Sequence, residues 1–250
     1  MTGDHGDAGP NRRLAGAVLA AASLPPAVVA GLMALLAGPV VAVVVLVVVA
    51  AAVAAFVWTT AERRAVSAIG GRDADARADA RFVNLVEGLG AAGGVSPPRL
   101  LVVDDPALNA AALGRDPRRG TLVVTSGLLG ALTRVELEGL LAAQLVRIKR
   151  GDTLPGTLAS AAGPLARRAC RSALPAQGGD LAAVALTRYP PGLASALEKV
   201  ATGPTALVRE VPAVAALWLA DPGQPAGPGQ PGDRAVRAPL EARIAALREL

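Results

Sequence analysis

The chain has 250 residues, 52% of them hydrophobic but only 2% aromatic, with a formal net charge of +5. The shortage of aromatic side chains argues against stacking recognition of single-stranded nucleic acid, and the arginines are scattered or sit beside apolar runs, so no nucleic-acid partner is expected. A single cysteine, Cys170, excludes an internal disulfide, and a single histidine, His5, leaves no histidine pair to hold a metal.

Residues 1–13 are polar and end in Arg12 and Arg13, which predicts a disordered tail. Residues 14–60 hold two apolar runs, Leu14 to Ala37 and Pro39 to Trp58, each about long enough to cross a hydrocarbon core of roughly 30 Å. Pro25 and Pro26 are expected to kink the first, and Gly38 with Pro39 supplies the turn between the runs. Phe56 and Trp58 stand where an interfacial aromatic belt belongs. Arg12 and Arg13 on one side and Arg63 and Arg64 on the other bracket a charge-free hairpin. The positive-inside rule then places both termini and the main domain in the cytoplasm, in a multi-pass protein of the cell membrane. A secretory signal peptide over 12–37 and a buried soluble helical hairpin are the competing readings. The length of the first run and the complete second run count against them.

Residues 61–220 form the main domain, beginning with a helical pattern from Ala61 to Leu89 whose apolar stripe is Phe82, Leu85, Val86 and Leu89. RLLVV at Arg99 to Val103 and TLVVT at Thr121 to Thr125 predict buried strands, with a weaker strand near Ala110 to Leu113. Thr133 and Glu136 form a capping box that opens a helix whose face is Leu137, Leu140, Leu141, Leu145 and Ile148 and whose end is Gly151. A helix-rich stretch follows around Leu181 to Val200. Residues 221–236 are a Pro/Gly-rich linker, and 237–250 are a final amphipathic helix of the same domain. Two lesser possibilities carry little. Ser126 and Lys149 have no spacing that makes them a dyad, and Asp104 and Asp105 beside Pro106 are turn residues.

The order of segments from Asn84 to Leu154 resembles the HtpX family of membrane-bound zinc metallopeptidases. The apolar hairpin, the Asn-Ala-x-Ala strand at Asn109, the Thr-x-Gly-Leu-Leu strand end at Thr125 and the Lys-x-Gly-Asp trailing the helix are all present. The resemblance implies an α+β fold, a transmembrane hairpin followed by a mostly helical metallopeptidase-like domain with a small sheet. It also implies where the chemistry should be. In HExxH two histidines one turn apart grip zinc and the glutamate between them activates water. In this register the first ligand position is Ala143, the general base is Gln144, the second ligand position is Arg147, and a third ligand, normally glutamate, is Ala176. Asp180 matches a retained aspartate that in the family supports a metal ligand, and a later His-Pro reads Arg237 and Ala238.

From these replacements we expect no bound cofactor where the family would bind zinc, and a pseudopeptidase that binds membrane proteins or an active homologue. Residual metalloendopeptidase activity through other ligands, or a purely structural membrane role, are the alternatives. Arg147 is expected either to pair with Asp180 in place of the lost cation or to extend into solvent.

Overall fold

A computed structural model describes residues 8–173, 179–220, 222–223 and 240–250. The fold is α+β, mostly helical around one small mixed sheet. Helices α1 (Ala8–Ala34) and α2 (Pro39–Ile69) lie along each other as a hairpin. Both are long and apolar enough to cross a membrane. Gly38, at φ 115°, makes the turn, a backbone region open to glycine, and Pro39 starts α2 with the missing N–H at a position that needs no partner. Leu24, Val29, Leu32, Met33, Val40, Val43, Val44, Val47 and Val48 are exposed, which leaves an apolar band around the distal half of the hairpin.

One expectation for this region changes. Helix α1 begins at Ala8, inside the stretch read as tail, and Asn11 Nδ2 donates to Asp152 Oδ1 at 2.6 Å, tying this end to the main domain. The helix also continues through Pro25 and Pro26.

Helix α2 outlasts its apolar run. Ala61, Ala65 and Ile69, spaced at i, i+4 and i+8, are buried, and the last two join Leu101, Ala111, Leu113, Val123 and Trp218 in a core beneath the sheet. The helix expected over Ala61 to Leu89 is therefore two helices with a strand between. Gly70, at φ 68°, ends α2, and β1 (Arg72–Asp73) follows directly. Polar contacts rather than hydrophobic pattern hold that break: Arg72 pairs with Asp79 at 2.6 Å, while Asp75 Oδ1 accepts from the backbone N–H groups of Arg77 and Ala78. Helix α3 (Ala80–Gly93) then buries the expected stripe of Phe82, Leu85, Val86 and Leu89.

Strands β2 (Arg99–Val103), β3 (Ala110–Leu113) and β4 (Thr121–Thr125) complete a sheet of order β1-β2-β4-β3. β2 and β4 are parallel, Leu101 beside Val123, and β3 is antiparallel to β4, Ala111 beside Val123. β3 and β4 are buried at every residue because each face meets a different core. Asn109, fully buried at the start of β3, anchors the segment that covers the free edge of that strand. Its Nδ2 donates to the carbonyls of Ala220 and Thr205, and its Oδ1 accepts from the Ala220 N–H at 3.1 Å. Leu219 N–H then bonds Ala110 O at 2.7 Å.

Thr125 caps α4 (Ser126–Ala131), and the capping box of Thr133 and Glu136 opens α5 (Arg134–Arg150) as read from the sequence. Helix α5 is the centre of the domain, buried at most positions from Glu136 to Ile148. Short helices α6 (Leu154–Ala161) and α7 (Pro164–Ala173) pack on the hairpin, with Leu158, Ala159 and Ala166 meeting Ala15, Val18, Val57 and Ala61. Helices α8 (Asp180–Thr187) and α9 (Pro190–Thr202) close over α5, and α10 (Leu240–Arg248) packs on α9 and α8.

Candidate functional site at the α5 helix

The face of α5 bearing Ala143, Gln144 and Arg147 is where the sequence placed the chemistry. Ala143 and Gln144 are buried, and Arg147 is half-buried. Residues three apart on a helix are neighbours, and Arg147 Nη1 donates to Gln144 Oε1 at 2.8 Å. The acceptor of the amide thus faces a cation and is engaged by it.

Helix α8 comes to this face at its first turn. Gly179 lies so close to α5 that a methyl group there would sit 3.7 Å from the Ala143 carbonyl oxygen and 3.8 Å from Arg147 Cγ. Asp180, the next residue, opens α8. Its partner is not Arg147. Arg243 on α10 grips Asp180 with both arms of its guanidinium, Nε to Oδ2 at 2.7 Å and Nη2 to Oδ1 at 2.6 Å. The side chains of Arg243 and Asp180 keep only 7% and 15% of their exposure, so this is a desolvated, two-point ion pair. The expected Arg147–Asp180 pair is corrected accordingly: α10 brings a guanidinium to both carboxylate oxygens, while Arg147 donates along its own helix to Gln144.

Ala176, Arg237 and Ala238 lie outside the described residues. The other sequence candidates separate. Ser126 Oγ donates to the Asp105 carbonyl, and Lys149 Nζ donates to the Gly93 carbonyl, so the two make no dyad. Asp105 accepts from Ala107 N–H at 2.9 Å and Val208 N–H at 2.8 Å, the role of a turn residue. Asp104 is exposed, 4.0 Å from Arg72.

Arg243 is the site residue that the sequence reading missed, and a signal for it exists. Leu240, Ile244 and Leu247 form the inward stripe of α10, and Arg243 falls three after the first and four before the last. A charge on an apolar stripe calls for a buried partner of opposite sign.

Comparison with known proteins gives several relatives that carry one name. The chain is 32% identical over 209 residues to a protein named protease HtpX homolog from Dictyoglomus thermophilum, covering 67% of this chain and 68% of that protein. A protease HtpX homolog from Tropheryma whipplei is 31% identical over 202 residues, covering 64% of this chain and 69% of that one. Another from Acidiphilium cryptum is 38% identical over 113 residues, 44% of this chain and 39% of its own length. No family model matches, and neither does any solved structure.

These relatives overturn the expectation of no cofactor. They are proteases of the kind that the sequence resemblance describes as zinc enzymes, so family evidence points to zinc. The α5 side chains do not fit that ion. Alanine has no donor atom, the Gln144 oxygen is taken by Arg147, and a guanidinium repels a divalent cation. Among the described residues, no three His, Cys, Asp or Glu side chains gather in a group able to hold a metal. Kinship and side chains disagree at this point.

Proposed function

The chain belongs to the HtpX-like family of membrane metallopeptidases, and from that premise we propose that it is a binding member which holds segments of membrane proteins, partner subunits or an active homologue without cleaving them. The observation that carries this reading is the hydrogen bond from Arg147 to Gln144 at 2.8 Å, in the place the resemblance gives to the general base. An amide oxygen does not take up a proton from water near neutral pH, and loss of a general base alone typically costs about 10²–10⁴ in rate. In this reading Ala143, Arg147 and Ala176 stand where the family has its ligands. Arg243 has closed on Asp180, the carboxylate left behind when the third ligand went.

The chain is a membrane protein by kinship and by its two apolar helices. Within the proposal both termini and the main domain are cytoplasmic, supported by Arg12, Arg13, Arg63 and Arg64 at the two open ends of the hairpin. Reporter fusions after residue 64 and at the carboxy terminus are expected to give cytoplasmic signal only; extracytoplasmic signal from either sinks that topology.

The test of function uses the full chain in detergent, with zinc supplied, against a quenched peptide library and an unfolded membrane protein. No turnover is expected. The variant carrying Ala143→His, Gln144→Glu, Arg147→His and Ala176→Glu is expected to gain cleavage, and in-cell cross-linking of the unmodified chain is expected to recover membrane proteins. Turnover by the unmodified chain would overturn the proposal in favour of the second reading, a metalloendopeptidase whose ligands lie elsewhere in the chain. That reading is favoured by the names of the relatives from Dictyoglomus thermophilum, Acidiphilium cryptum and Tropheryma whipplei, each called a protease. Absence of both turnover and cross-linked proteins would leave a structural membrane role.

A further inference from the structure

A different part of the molecule gathers charge at the membrane boundary. Phe56 and Trp58 are exposed at the end of the apolar run of α2, and Glu62, Arg63 and Arg64 follow within two turns. Aromatic side chains in that position mark the level of lipid headgroups. The turn between β3 and β4 returns to the same level. Arg115 donates to the Trp58 carbonyl, holds its guanidinium 5.8 Å from the centre of the Trp58 ring, and approaches Glu62 to 3.6 Å.

Between α2 and this turn lies an open cleft of about 560 Å³ lined by Arg63, Arg99, Arg115, Arg118 and Arg119, with Glu62 as its one acid. Two of the five guanidiniums are already matched, Arg99 by Asp73 at 2.7 Å and Arg115 by Glu62. Arg63, Arg118 and Arg119 have no carboxylate within 4.0 Å among the described residues. Asp116, in the same turn, spends one carboxylate oxygen on the backbone N–H of Arg118. Arg63, Arg118 and Arg119 are exposed, which leaves their donors open to an incoming anion, and a planar guanidinium fits a phosphate through paired N–H donors.

We propose that this cleft binds the phosphate of an anionic phospholipid headgroup, with the acyl chains lying along the apolar surface of α2. The position of the cleft favours a lipid over a soluble phosphate: Trp58, whose ring and carbonyl both meet Arg115, stands where an interfacial belt belongs. The inference is independent of whether the chain cuts peptides.

The experiment places the full chain in phosphatidylcholine nanodiscs containing a minor fraction of phosphatidylglycerol, and measures co-purifying lipid by native mass spectrometry. One phosphatidylglycerol per chain is expected, enriched several-fold over its share of the disc. Arg63→Gln with Arg118→Gln and Arg119→Gln is expected to abolish the enrichment, while Arg167→Gln with Arg168→Gln, on α7, leaves it unchanged. Lysine at the three positions keeps the charge and is expected to keep part of the preference. It also carries the test should the glutamine variant not fold. No enrichment in the unmodified chain, or equal loss in the α7 variant, overturns the proposal. Displacement of the lipid by millimolar inorganic phosphate would overturn the lipid source and leave a soluble phosphate site.

Discussion

Arg243 and Asp180 form the polar contact that ties α10 to α8, with both charges withdrawn from water and each meeting the other at two points. Removing one member of such a pair leaves an uncompensated buried charge, a loss of about 3–5 kcal/mol. Arg243→Gln is therefore expected to lower the unfolding free energy by about that amount, and Asp180→Asn with Arg243→Gln to recover much of it. Denaturant titration of the detergent-solubilised variants measures both. Glu136 offers a second test at this scale. Burial raises its carboxyl pKa, but Lys199 at 2.7 Å and the N–H and hydroxyl of Thr133 together outweigh that and hold it below the ordinary carboxylate range. A depressed pKa means the folded state prefers the ionised group, so its stabilisation is complete above the unfolded pKa of about 4.3 and disappears as pH falls through the folded value. Unfolding midpoints are expected to be insensitive to this group near neutrality and to decline in acid, with a shallower acid decline in Glu136→Gln. An identical decline in both would remove Glu136 from the account.

At the level of elements, what was legible had local causes. β2, β4 and the stripe of α3 were readable because their apolar residues keep the period of the element, and α5 because Thr133 and Glu136 satisfy its first N–H groups. β1 was not. Its two residues carry charge, and only the pairing of Arg72 with Val102 and the Gly70 turn make them a strand. The partner of Asp180 was hidden for a different reason: the motif register pointed to the nearest arginine on α5, whereas the guanidinium arrives from α10, 63 residues away in sequence. Close approach between elements is equally invisible to pattern. Gly139 lets α5 touch the start of α9, where an added methyl group would lie 2.7 Å from the Leu193 nitrogen. Gly139→Ala must push backbone, not a flexible side chain, and is expected to cost about 1–3 kcal/mol, as overpacking does. An unchanged unfolding midpoint would contradict that packing.

For the whole molecule, the hairpin and the domain share a core. Ala15, Val18, Val57 and Ala61 from the hairpin cover Leu158, Ala159 and Ala166 from α6 and α7. Removing residues 1–60 is accordingly expected to give a domain that self-associates even without its lipid-facing surface, because a second apolar face is uncovered. Size-exclusion chromatography of the truncated chain decides this, and a monodisperse, cooperatively folding product would count against a shared core. Helix α2 has one more consequence. At 1.5 Å per residue its 31 residues span about 46 Å, against roughly 30 Å for a hydrocarbon core, and it passes without a break from its apolar run to Ala65 and Ile69 beneath the sheet. The protein therefore stands on a stilt rather than a tether. With no break between the apolar run and the residues under the sheet, α2 acts as a lever: a tilt at its far end turns the floor of the sheet with it.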